Sequence, residues 1–447
     1  MRTDLRLALL LTRGSDRREW WRVTLTAVGA GLATGFMLAA AAVASLRGQY
    51  SVSIGNGLLN QPGERSGIVL ALLLLLVPVL GFLGQCARIG AVHRDRRLAG
   101  LRLAGASPAQ VRRIAALETG LACLAGSSVA AMFSVLFVLG EWRNPPASAW
   151  AAFAGVAVAV PMLGALVSTL ALRRVVASPL GWVRRTRPST GRGPGTAFLT
   201  AAPVIMFVGL AMAPHDFGGF DTAPPLVFGV VIITSVAAVR ATAATARLTG
   251  RRLAARTGNP ATLIAAERLR DDPWAAARTH AAVLLVTVVG TGFIGIRQVL
   301  LDVLSDRSRS SLSSDMSFYT TGVNLAGAAV LVALAITLSG LAVGTAESLA
   351  TRRRGLAAQA AAGVPHAVLG RALLLETALP LAPAVALAGA GGMAISGWYA
   401  WLATGAGSVP LLPLLVPVAV YTACLLAAAT SLPLLRRSVH PTELRFT

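Results

Sequence analysis

Apolar blocks of about twenty residues recur along the whole chain, separated by short connectors rich in arginine. A hydrocarbon core roughly 30 Å thick takes about that many residues per helix, and a helix satisfies its own backbone polar groups there. The composition agrees. Only 13% of residues are charged, against about 25% in soluble domains, and the mean hydropathy is +0.69. These values exclude an ordinary soluble protein, a disordered chain and a disulfide scaffold. The chain reads as an all-α, polytopic integral membrane protein with about ten transmembrane helices. The expected spans are 23–46, 68–89, 115–139, 149–172, 197–213, 225–239, 281–296, 323–343, 372–394 and 411–435. The fifth, sixth and seventh are the shortest. If the fifth and sixth formed one re-entrant hairpin, eight spans would remain with the same orientation.

The net charge of +22 suggests nucleic acid until the positions are read. All 40 basic residues are Arg, and they lie between the apolar blocks. With the N-terminus placed in the cytoplasm, 34 fall on the inner side and six (Arg47, Arg65, Arg143, Arg297, Arg307, Arg309) on the outer side. The basic excess is thus a topology signal, both termini are expected inside, and no nucleic-acid partner is expected. The expected partner is the lipid bilayer; Arg without Lys, beside so much Ala, Gly and Leu, suggests a GC-rich bacterial genome and hence a bacterial cytoplasmic membrane. The first span is too long, and too far from the start, for a cleaved signal peptide. Residues 1–11, with Arg2 and Arg6 beside a leucine run, suggest an interfacial helix.

Catalytic machinery is not evident. Cys86, Cys123 and Cys424 fall inside expected spans, and the five histidines have no ligand spacing, so no metal is expected. A phosphate-binding loop needs a Lys, and the chain has none; the glycines of Gly191–Gly195 read as a linker. The centres of the spans hold no Asp, Glu or His, which weighs against an ion-coupled secondary carrier.

Two connectors resemble each other at a constant offset of 258 residues: Arg94–Thr119 (RDRRLAGLRLAGASPAQVRRIAALET) and Arg352–Thr377 (RRRGLAAQAAAGVPHAVLGRALLLET). Arg94/Arg352, Arg96/Arg354, Leu98/Leu356, Gly105/Gly363, Arg113/Arg371, Glu118/Glu376 and Thr119/Thr377 coincide. A basic echo, 172–174 and 435–437, follows the next two spans. In the first copy Gly105 should break the chain, Ser107 cap a helix beginning at Pro108, and Gln110 complete a capping box. In the second, Gly363 and Pro365 do this without a Ser. Leu98, Leu101 and Leu103, or Leu356, suggest a short amphipathic helix on the membrane surface before the glycine. Arg112 and Arg113, or Arg371, should follow at the headgroups. Glu118 and Glu376 read as structural acids in the first turns of membrane helices, able to pair with an Arg one turn back. The small pair Gly31/Gly35 permits close helix packing but names no interface.

These residues resemble the FtsX-like permease family, the membrane subunits of MacB-type ABC transporters. The motif is a span, then RRLAGLRLAGASPAQVRRIAALE, then the next span, present twice. The stretch Asn259–Arg278, with helix starts at Asn259-Pro260 and Asp272-Pro273, is similar to the segment before the second repeat in two-repeat members. The resemblance implies an N-terminal interfacial helix and first span (1–66), a first FtsX-like repeat of three spans (67–185), a linker region with three spans (186–322), and a second repeat with a cytoplasmic tail (323–447). It implies a non-catalytic permease subunit, with no cofactor of its own. ATP-Mg would bind a separate cytoplasmic ABC ATPase, in two copies. The ATPase-coupling elements carried over are Arg94, Arg96, Arg97, Leu98, Leu101, Arg102, Gly105, Ser107, Pro108, Arg112 and Arg113, with Arg352, Arg353, Arg354, Leu356, Gly363, Pro365 and Arg371. Mechanotransmission would then drive export of a hydrophobic or amphipathic compound. The outer segments, about 20 residues each at 47–66 and 301–322, are too short for the large extracellular domain of better-known relatives. A membrane regulator of cell-wall hydrolysis, using the same coupling, is the alternative reading.

Overall fold

A computed structural model of the full chain describes residues 17–46, 57–60, 62–86, 100–101, 103–141, 145–171, 223–306, 316–404 and 410–438. Among these residues there are helices and no strands. Eight helices are long and apolar enough to cross a membrane, and a shorter apolar stretch runs over Gly67–Leu83. The chain is a multi-pass membrane protein. The expected fifth span lies outside the described residues, as does the N-terminal interfacial helix.

The helices form two compact units. The first unit contains α1 (Arg17–Ser45), α4 (Pro108–Glu141) and α5 (Ala147–Ala171). Between α1 and α4 in the chain come α2 (Pro62–Leu74), which belongs to the second unit, and α3 (Leu76–Cys86), which the division crosses after Gly81. Helix α1 lies along α4 closely enough that a Cβ on Gly31 would sit 3.2 Å from the Gly126 carbonyl. A Cβ on Gly126 would overlap the Ala27 carbonyl. Gly35, by contrast, faces open space. Thr34 donates to Ser127 across the same seam at 2.9 Å, both side chains buried. Backbones that close gain dispersion contacts that lipid cannot supply. On the far face of α4, Met132, Phe133, Leu136 and Phe137 are exposed, as suits helices surrounded by lipid.

The second unit also holds α6 (Ala223–Arg256), α7 (Pro260–Asp271), α8 (Pro273–Asp306), α9 (Met316–Thr351), α10 (Arg353–Ala361), α11 (His366–Thr404), α12 (Leu415–Ala429) and α13 (Leu432–Ser438). Helix α8 is central: Val283, Leu284, Leu285 and Val288 pack with Ala238 and Val239 of α6, Leu341 of α9, Leu381, Ala384 and Ala388 of α11, and Val420 and Cys424 of α12. A Cβ on Gly392 of α11 would lie 2.7 Å from the Val288 carbonyl, so α8 and α11 also meet backbone to backbone.

Several helices are longer than their expected spans, α6 and α8 by the most. Helix α6 continues from Val239 through Arg240 to Arg256, and α8 continues from Ile296 through Arg297 to Asp306. A charge ends an apolar window but removes no backbone hydrogen bond. The connection from α8 to α9 therefore shrinks from about 20 expected residues to residues 307–315.

Candidate functional site

The two similar connectors form the candidate site, and their local chemistry explains their shape. Gly105 has φ +96° and Gly363 has φ +89°, a left-handed conformation in which a Cβ would be strained. Around each glycine the chain closes the same six-residue turn. Ala106 N donates to Leu101 O at 2.9 Å, and Val364 N donates to Gln359 O at 3.1 Å. These four positions also differ by 258. In the second copy Gly363 N donates to Ala360 O at 2.9 Å, completing a Schellman ending for α10.

The following helices start differently. Ser107 accepts from Gln110 N at 3.2 Å while its own N donates to Gln110 Oε1 at 2.9 Å, so α4 begins with the expected capping box. Helix α11 begins after Pro365, whose carbonyl accepts from Val368 and Leu369. The starts read from Asn259 and Asp272 also hold: their side chains accept from Ala261 N and Ala275 N, each at 3.0 Å.

Arg112, Arg113, Arg354, Arg371, Gly105, Ser107, Gly363 and Pro365 are exposed, while Arg352 and Arg353 are half-buried. Arg353 Nε donates to the Ala350 carbonyl at 3.0 Å. Leu101 packs against Val111 and Ala115, and Leu103 is exposed. Arg94, Arg96, Arg97, Leu98 and Arg102 lie outside the described residues, as do the side chain of Pro108 and both residues 173–174.

The second connector departs from the expected surface helix. Leu356 is only 1% exposed and packs against Leu349, Leu369, Leu373 and Leu435, with Ile264 of α7 beside them. Its apolar side is thus held by other helix ends rather than turned to lipid. The opposite side carries the small residues Gly355, Ala358, Ala361 and Ala362 beside the exposed Arg354.

Glu376 also differs from expectation. Its carboxylate does not take an Arg one turn back. Arg352 Nη1 donates to Oε1 and Oε2 at 2.8 and 3.1 Å, and Arg268 Nη1 donates to Oε2 at 3.2 Å. The carboxylate is 20% exposed, so water screens these pairs only in part. One acid thus ties α7, the start of α10 and α11 together. Helix α7 is held from its other side by α6, where a Cβ on Gly250 would lie 2.8 Å from the Ala266 carbonyl. Glu118, at the equivalent place in the first unit, is buried.

Arg268 is the residue that sequence reasoning missed. The segment Asn259–Arg278 stood out for its helix starts, but no spacing rule joins Arg268 to an acid 108 residues away. The available signal was the acid itself, placed near a membrane edge in a chain with 40 Arg. Among the described residues no group of His, Cys, Asp and Glu could hold a metal ion. No family model, curated protein or solved structure matches the chain.

Proposed function

We propose that this chain is the permease subunit of an ABC exporter, moved by a separate cytoplasmic ATPase that docks on the two connectors. In this reading ten helices cross the bacterial cytoplasmic membrane, both termini lie in the cytoplasm, and the connectors belong to two FtsX-like repeats. The carrying observation is the pair of left-handed glycines and equivalent turn hydrogen bonds, 258 residues apart, at the entrances of α4 and α11. Loops of no function vary freely, so one turn kept twice argues for one use made twice. The exposed face of α10, small at Gly355, Ala358 and Ala361 and cationic at Arg354, suits a partner that approaches closely and carries acidic groups. Glu376 supports the same reading, because a push on α10 reaches α7 and α11 through fixed charge pairs. The short connection 307–315 favours a hydrophobic or amphipathic cargo taken sideways from the bilayer over one captured by an outer domain.

The test is co-purification with an ABC ATPase encoded in the same gene neighbourhood, followed by ATP hydrolysis in vesicles with and without the permease. Replacing Arg113 and Arg371 together with Glu should abolish stimulation of the ATPase while the chain stays in the membrane. Stimulation equal to that of the unaltered chain would overturn the docking assignment.

A further inference from the structure

Arginine on an exposed helix face at bilayer depth must find an anion or reach the headgroups, because hydrocarbon solvates a charge poorly. Helix α6 carries such a residue, and the depth follows from contacts inside the second unit. Gly391 of α11 abuts Thr234 of α6. It lies fifteen residues beyond Glu376, about 22 Å along the helix axis. Arg240 lies six residues back toward the α7 end, placing its Cα about 13 Å beyond the level of Glu376. Trp398 and Trp401, 37% and 62% exposed, mark the opposite membrane edge. They stand about 33–37 Å beyond Glu376. A core about 30 Å thick then begins about 3–7 Å beyond Glu376. The Arg240 backbone is therefore within the hydrocarbon, and its side chain must point toward the α7 edge.

Arg240 is one of a series. Arg247 and Arg251 follow at seven and eleven residues, on the same stripe of α6, and all three are exposed. Among the described residues no carboxylate pairs with any of them. Beyond Arg240 the stripe turns apolar, with Ile233 71% exposed, and Leu248 flanks the cations. Cations near the edge with apolar surface above them match one molecule end to end: a negatively charged headgroup over an acyl chain.

We propose that this face of α6 is a binding site for an anionic phospholipid of the leaflet on the α7 side. Its phosphate is held by Arg240 and Arg247, and its acyl chain lies along Ile233. The proposal rests on the membrane-spanning character of the unit and is independent of the permease reading.

The test is native mass spectrometry of the full chain from neutral detergent, titrated with phosphatidylglycerol or phosphatidylcholine of identical acyl chains. The unaltered protein should retain phosphatidylglycerol preferentially. Arg240→Gln with Arg247→Gln should weaken that retention about tenfold or more and leave phosphatidylcholine unchanged. Arg256→Gln, on the opposite side of α6, should change neither. If the double variant cannot be purified, Arg247→Gln alone should show a loss of about fivefold. Three results would each overturn the site: equal retention of the two lipids, undiminished phosphatidylglycerol binding by the Gln variants, or its displacement by millimolar inorganic phosphate. The last would make the face a site for free anions.

Discussion

The two connectors share a turn but hold the following helix by different means. The first starts α4 with a side-chain cap, Ser107 and Gln110 each satisfying a backbone donor of the other. The second has proline where the first has Ser107, and the side chain of Pro365 accepts no hydrogen bond. Its connector is held by buried Leu356 and by Glu376, which draws in Arg352 and Arg268. The difference teaches that the left-handed glycine and its six-residue turn are the common part. The capping box belongs to the first copy alone, and Pro365 removes it from the second.

That comparison can be broken at its strongest point. Glu376→Leu leaves two partly exposed guanidinium groups without their carboxylate, and should cost about 2 kcal/mol, between the values for buried and surface pairs. Thermal unfolding in detergent should show a drop of several degrees, with Glu376→Gln in between. Unchanged melting would mean that the charge cluster does not hold the second connector.

The glycines come next. Gly105→Ala and Gly363→Ala should each cost about 1–2 kcal/mol, since a Cβ at positive φ is strained and neither site lacks space. Unequal costs, measured by denaturant or thermal unfolding, would show that the two turns are not equivalent. A smaller effect belongs to the cap. Ser107→Ala should cost about 1 kcal/mol, and Pro365→Ser with Val368→Gln should introduce a capping box into the second connector. Faster amide exchange at the start of α4 would report the loss. Slower exchange at the start of α11 would report the gain.

The smallest expected effect on stability is that of Arg371→Gln. The side chain is exposed, so melting should move by less than about 0.5 kcal/mol. A larger loss would show that Arg371 has a structural role beside Glu376.

Features governed by neighbouring residues are legible in the sequence. Apolar blocks locate the spans, because a helix in lipid is selected residue by residue for apolar side chains. Asn259, Asp272 and Ser107 announce helix starts, and Gly105 and Gly363 announce the turns. Charge within a span misleads: Arg240 and Arg297 end apolar windows that α6 and α8 cross. Gly31 and Gly35 are indistinguishable in sequence, yet Gly31 meets the Gly126 carbonyl and Gly35 meets nothing.

By itself, then, the amino-acid order determined that this chain is helical, membrane-embedded and built with one connector pattern used twice. Hydropathy, capping and backbone conformation act over a few residues, so a linear text carries most of them. Only the tertiary structure decided which arginines neutralise Glu376 and which face of α10 is covered. Those outcomes depend on which helices become neighbours, and residues 24, 108 or more positions apart meet only when the bundle closes.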